Sequence, residues 1–204
     1  MTAMVHVVDD DAAVRGGLKW FFESAGLGVE VYVSAEDFLA RYAPGEDAEC
    51  VVLDLSMPGL NGLQLFEVFA DRGWTVPVIF LTGQAKVPDA VQALKHGAFD
   101  FLEKPFADDA LLERVRAAHD EEQRRRARSD EEASLVARLA GLTQREHQVA
   151  LRVAAGQPNK VIAAELGISP RTVEVYRAKA MSKTGARSVA DLVQLVMRQP
   201  AAAP

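Results

Sequence analysis

The sequence predicts an α/β protein in two parts, a doubly wound parallel-sheet domain of (βα)5 type followed by a small all-α helix-turn-helix domain. Three observations carry this reading. Five short apolar runs alternate with helical spacings through residue 119. From residue 143 onward there is only helix punctuation. The charge divides in the same place: residues 1–120 hold 20 Asp and Glu against 9 Lys and Arg, whereas residues 138–204 hold 4 against 10. An acidic front and a basic back imply two domains with different partners, the second a polyanion.

Residues 4–8 read as the first strand, and it ends in Asp9, Asp10 and Asp11. Three adjacent acids repel one another unless a cation or a helix N-terminus relieves them. Residues 12–25 space Val14, Leu18, Phe21 and Phe22 as one helical face, and Gly26 stops that helix. Residues 29–33 form the second strand. Ser34, with Glu36 and Asp37 behind it, opens a helix over Phe38 and Leu39 as an N-cap does. The run from Cys50 to Asp54, closed by Met57-Pro58-Gly59, is a strand buried on both faces. Asn61-Gly62 reads as a loop and residues 63–70 as a helix. Residues 76–83 give a fourth strand ending in the Thr82 hydroxyl, and residues 88–95 a helix closed by Gly97. Residues 99–103 give a fifth strand, followed by Lys104-Pro105-Phe106.

Asp9 and Asp10, Asp54, Thr82 and Lys104 thus fall at the C-terminal ends of four different strands, which in a doubly wound sheet share one crevice. Hard oxygen ligands there suit Mg2+. A carboxylate can attack a phosphoryl group to give an acyl phosphate, with a cation and a Lys ammonium neutralising the developing charge. Alone, Asp54 could equally be a carboxylate capping its own turn.

Val8-Asp9-Asp10, Asp54-Leu55-Ser56-Met57-Pro58, Leu81-Thr82-Gly83 and Lys104-Pro105-Phe106, in this order and spacing, resemble the receiver domain of two-component response regulators over residues 4–118. The resemblance implies that Asp54 is the phosphoacceptor. Asp9, Asp10, Asp54 and the main-chain carbonyl of Ser56 would hold the metal, and Thr82 and Lys104 would read the phosphoryl group. Phe101 would be the aromatic that switches with Thr82; on its own it reads as a core aromatic. Lys104–Pro105 is a candidate cis bond, and Ser56 and Gln84 would flank the water that attacks the acyl phosphate. His6 and His96 read as strand-face and helix-end residues.

Between Pro105 and Ala140 there is neither Pro nor Gly. Leu111, Leu112, Val115 and Ala118 continue an apolar stripe that vanishes after residue 119. Glu121–Arg125 and Glu122–Arg126 are acid-to-base pairs four apart, which fits a polar helix bridging two domains, and a disordered linker as well. The Arg124-Arg125-Arg126 cluster reads as a solvated face. Thr143 with Glu146 makes a capping box; that helix stops at Gly156, a second runs from 161 to 166 before Gly167, and Ser169-Pro170 opens a third to about Thr184. Residues 189–197 give a fourth.

Leu142-Thr143, Arg145-Glu146, Gly156, Asn159-Lys160, Ile162-Ala163, Leu166, Ile168-Ser169, Arg171-Thr172-Val173-Glu174 and Lys183 closely resemble the LuxR-type DNA-binding domain over residues 139–198. The resemblance implies phosphate contacts from Lys160, Arg171, Thr172, Arg177 and either Lys179 or Lys183. Glu174, Val175 and Ala178 would face base edges, Glu174 accepting from cytosine and the others touching thymine methyls. Val175 could instead pack inside the domain. Tyr176 stands where the family usually has His, so a phosphate contact there can differ.

The expected plan is therefore a receiver over 1–119, a linker over 120–138 and a LuxR-type domain over 139–204, the arrangement of the NarL/FixJ class of response regulators. It implies a phosphorylation-switched, sequence-specific transcriptional regulator that dimerises on phosphorylation. The implied partners are a cognate histidine kinase, double-stranded promoter DNA and, as a candidate, RNA polymerase; Mg2+ is the implied cofactor. The rival is a DNA-binding regulator indifferent to phosphate, its receiver serving as a dimerisation module; a constitutive dimer through residues 189–196 is the matching alternative. An aspartyl-phosphate hydrolase would need a second acid two residues after Asp54, where Ser56 stands, so an enzyme is not expected. No apolar run approaches the ~18 residues of a membrane span, and residues 1–4 lack a basic signal region. With a single Cys, which cannot form an internal disulfide, a cytoplasmic location is expected.

Overall fold

The computed structural model describes residues 3–45, 47–83 and 94–197 and divides into two units, residues 1–126 and 127–204. In chain order the described elements are β1 (Met4–Val8), α1 (Ala12–Ser24), β2 (Gly28–Tyr32), α2 (Ala35–Arg41), β3 (Glu49–Asp54), α3 (Gly62–Asp71), β4 (Val78–Thr82), β5 (Asp100–Glu103), α4 (Asp108–Ala140), α5 (Gln144–Ala154), α6 (Asn159–Leu166), α7 (Pro170–Thr184) and α8 (Val189–Met197). Of the helix expected over 88–95, only Leu94 and Lys95 are described, and both are helical. Gln84 lies outside the described residues.

The five strands pair in the order β2-β1-β3-β4-β5, parallel throughout. Every residue of β3 and of β4 is buried, as continuous apolar runs demand in a sheet covered on both faces. Alternation then sorts the side chains into two cores. Val8, Tyr32, Leu53 and Phe80 face one, with Phe38, Leu65 and Phe69 of α2 and α3. Val5, Val7, Val52 and Leu81 face the other, with Leu18 and Phe22 of α1 and Leu111 and Val115 of α4. Phe38 stacks on Tyr42 at 4.5 Å and on Phe69 at 5.5 Å between ring centroids, an aromatic seam that fastens α2 to α3. His6 is the strand-face residue expected of it, buried and within 3.1 Å of the Tyr32 hydroxyl.

Two local expectations change. Asn61 does not form a loop; it caps α3, accepting from the Gln64 amide while Gln64 accepts from that of Asn61. The connector is helix, and Glu122 pairs with Arg126 as expected; Arg125, however, also goes to Glu122, and Glu121 is 3.7 Å from Arg124 instead. Arg126 also donates to the Gly45 carbonyl, so part of the Arg cluster is tied down rather than solvated.

In the second unit Leu135 and Leu139, the last turns of α4, join Val149, Ile162, Val173, Ala180 and Leu192 in one core. The domain's apolar boundary therefore starts before residue 139. Thr143 and Ser169 cap α5 and α7 as their spacing predicts, and Gly167 ends α6 in the left-handed conformation at φ 65°.

Candidate functional site

Register brings the strand ends together. Val8 pairs with Leu53, Asp54 with Leu81, and Thr82 with Glu103, so the residues just beyond each strand open on one edge. There the Lys104 ammonium bridges two carboxylates, 2.6 Å from Asp54 Oδ1 and 2.9 Å from Asp9 Oδ2. The other Asp54 oxygen accepts from the Ser56 amide at 2.7 Å, and Asp9 Oδ1 from the Asp11 amide at 2.8 Å. Burial opposes the Lys104 charge, but hydrogen bonds to Asp54 and Asp9 outweigh it and hold the ammonium's pKa above its ordinary value. Burial also pushes the Asp9 carboxyl up, against the pull of Lys104. The directions agree physically: one ammonium serves two carboxylates, and the crevice keeps an excess of negative charge.

The remaining residues stand further out. Asp10 is exposed, and no three His, Cys, Asp or Glu side chains gather in a metal-binding group among the described residues. Thr82 is fully buried and donates to the Gly83 carbonyl at 3.1 Å. Phe101 is half-buried and packs against the α2–α3 core. Lys104–Pro105 is cis.

In the second unit α6, the Gly167 turn and α7 form the helix-turn-helix. Arg171, Glu174, Val175, Ala178 and Lys179 are exposed along α7, and Lys160 is exposed in the first turn of α6. The five α7 residues, spaced by three and four, lie on one stripe of that helix. Val175, 48% exposed, is therefore a surface residue, not core. Thr172 is half-buried with its hydroxyl 2.8 Å from that of Ser169, and Arg177 donates to Asn159 at 3.2 Å, linking α7 to α6. Lys183 departs from the expected pattern. Its ammonium lies 2.7 Å from Glu146, although the side chain, like that of Lys179, is exposed.

Comparison with known proteins decides the family. Residues 5–116 match the response regulator receiver domain, and residues 140–196 match the bacterial regulatory proteins of the luxR family. This is a response regulator of the NarL/FixJ class. The transcriptional regulatory protein FixJ of Azorhizobium caulinodans is 47% identical over 95% of this chain and 91% of its own length. The structure of response regulator StyR superposes with a TM-score of 0.90 at 40% identity, covering 97% of this chain and 99% of StyR. Full-length FixJ from B. japonicum gives 0.60 at 42% identity over 97% of this chain and 98% of its own. The relatives are transcriptional regulators, and the chain belongs with them as a two-component regulator and not an enzyme. No helix among the described residues is long and apolar enough to cross a membrane.

Two parts of this response regulator went unassigned in the sequence. Asp11 is the N-cap of α1, accepting from the Ala13 and Val14 amides, so the third acid of the triplet answers a helix N-terminus. Arg15, one turn on, donates to the Asp9 carbonyl at 2.7 Å and fixes the strand end from behind. The buried Glu146 is held by Lys183, by the Thr143 amide and by the Thr143 hydroxyl, which together draw its carboxyl down to about 2 from 4.5. A pKa below the unfolded value stabilises the fold above pH 4.5, and that contribution is lost as pH falls toward 2. Thermal melts of the full chain should therefore show Glu146→Gln less stable than wild type at neutral pH, with the gap closing below pH 4.5. A gap that does not change with pH would count against the ion pair.

Proposed function

We propose that this chain is a phosphorylation-switched, sequence-specific DNA-binding regulator that accepts a phosphoryl group on Asp54 from a histidine kinase. The observation that carries the proposal is the Asp54 carboxylate held between Lys104 and the Ser56 amide, beside a second buried carboxylate. An Asp54 oxygen attacks phosphorus; the O–P bond forms as the phosphorus–nitrogen bond of the kinase phosphohistidine breaks and its electron pair leaves with the imidazole. Lys104 already lies 2.6 Å from Asp54 Oδ1 and would shift its hydrogen bonds to the phosphoryl oxygens. The Thr82 hydroxyl would leave the Gly83 carbonyl to donate to another, and Phe101 would turn toward the space beside it.

Asp9, Asp10, Asp54 and the Ser56 carbonyl would hold Mg2+, which supplies positive charge for the phosphoryl oxygens. The donors fit: they are hard oxygens, and the buried pair already shares a cation. A few carboxylates and one carbonyl, with Asp10 still open to solvent, suit an ion that keeps several waters.

On the second unit, Lys160, Arg171, Thr172, Arg177 and either Lys179 or Lys183 would bind phosphates while Glu174, Val175 and Ala178 read bases in promoter DNA. One helix in one groove reads few base pairs, so phosphorylation would act by pairing two chains on two half-sites. A cytoplasmic site of action and contact with RNA polymerase accord with such a role.

Operator binding by the full chain should tighten, and its sedimenting mass double, when a small phosphodonor and Mg2+ are added. About five phosphate contacts give a salt slope of roughly −4 to −5. Lys160→Ala should weaken every sequence alike and flatten the slope by about one unit, whereas Glu174→Ala should change the base preferred at one position. Unchanged mass and affinity on phosphorylation would leave the phosphate-independent reading instead.

A further inference from the structure

At the opposite ends of the strands from Asp54 lies a cavity of about 520 Å³ within the first unit. Its walls are Phe66, Phe69 and Trp74 from α3 and the turn after it, Val76 and Pro77 before β4, and Phe99 before β5. This size, with a mostly apolar and aromatic lining and a few polar groups, is what small-molecule sites share. Five strand residues, roughly 16 Å at ~3.3 Å each, separate it from the phosphoacceptor crevice.

Its charge is one-sided. Glu67, Asp71, Glu121 and Glu122 line it, against Arg125 and the titratable His96. Arg125 donates to both Glu122 oxygens, at 2.8 and 2.9 Å, so that pair is closed. Glu121 has Arg124 at 3.7 Å. Glu67 and Asp71 have no ion-pair partner among the described residues, and they lie four apart on α3, where like charges repel. They also sit toward the helix's C-terminal end, where the macrodipole disfavours acids, and α3 has no basic residue in its last turn. Both acids are exposed and have only the C-cap Arg72 as a basic neighbour in sequence, so a cation at this mouth would relieve both. Trp74 already attracts one, since the Arg72 guanidinium lies 4.8 Å from its ring centroid.

We propose that this cavity is a binding site for small organic cations with an apolar, aromatic body: the body fills the space between Phe66, Phe69, Trp74 and Phe99, and the ammonium sits at the mouth between Glu67 and Asp71. A carboxylate of the same shape meets the same walls and two repelling charges. The site gives the regulator a chemical input separate from Asp54.

The full chain carries two tryptophans, and Trp20 is 74% exposed on α1, so Trp20→Phe leaves Trp74 as the sole reporter. In that background, 2-phenylethylammonium should change Trp74 emission saturably, and 3-phenylpropionate should bind about tenfold more weakly, as expected from reversing one charge. Glu67→Gln with Asp71→Asn, both exposed positions, should bring the two probes to similar affinity. Ala70→Leu, at an exposed helix position on the rim, should abolish binding while circular dichroism stays unchanged. No saturation up to the solubility of the ammonium probe overturns the proposal. So does equal binding of the two probes before the acids are removed, or binding that survives Ala70→Leu.

Discussion

Asp54→Asn should abolish covalent phosphate uptake while leaving the fold at least as stable as wild type. Incubated with a small phosphodonor and Mg2+, the wild-type chain should gain one phosphoryl mass that hydroxylamine removes, as it does an acyl phosphate; the variant should gain none. The loss follows from chemistry, because an amide offers no anionic oxygen to phosphorus. The stability follows from the charge balance of the crevice. Lys104 is shared between Asp54 Oδ1 at 2.6 Å and Asp9 Oδ2 at 2.9 Å, and Asp9 is left with a raised pKa by its burial. Removing one of two carboxylates lets the ammonium serve the other alone, and Asn keeps a carbonyl oxygen to accept from the Ser56 amide. A variant that takes up hydroxylamine-sensitive phosphate, or one whose melting temperature collapses, would contradict this account.

How much of this was legible in the chain depends on how local each cause is. The strands were, because a sheet covered on both faces demands continuous apolar runs, and β3 and β4 are buried throughout. The caps Ser34, Thr143 and Ser169 were, because a cap lies within three residues of what it serves. Asn61 carried the same signal in Gln64 three residues on, but Asn-Gly is also a turn signature, and burial of α3 decided between them. The site's membership was legible from strand ends; its geometry was not. Lys104 reaches Asp9 across 95 residues, and Lys183 reaches Glu146 across 37, distances over which periodicity is silent. Glu122 shows the limit most plainly. It lies where the apolar stripe ends, yet is only 1% exposed, because two arginines and the first unit's surface close over it.

Gly62→Ala should destabilise the chain by about 1–3 kcal/mol, the cost of overpacking, and slow phosphorylation of Asp54 as well. By propensity alone the change should help, since Ala in a helix is favoured over Gly by roughly 1 kcal/mol. Gly62 is the first residue of α3, and its φ is not in the left-handed region. Space decides the sign. A Cβ there would meet the Asp54 carbonyl oxygen and lie 3.0 Å from Leu55 Cα, both backbone atoms. They cannot drift aside, because Leu55 donates to the Leu81 carbonyl at 3.0 Å and β3 is paired on both sides. The strain must appear as a displaced strand end, and that end carries the nucleophile; misplacement by ~1 Å is enough to cost on the order of a hundredfold in a positioned reaction. Gly16 supplies the opposite case within α1: it is exposed, and its Cβ would meet nothing within 4 Å. Gly16→Ala should raise stability by roughly 0.5–1 kcal/mol and leave the phosphorylation rate unchanged. Denaturant melts and phosphodonor time courses on the two variants test the argument together. Equal and small effects from both would mean that α3 slides freely against the end of β3, and that Gly62 is not what keeps the Asp54 backbone in place.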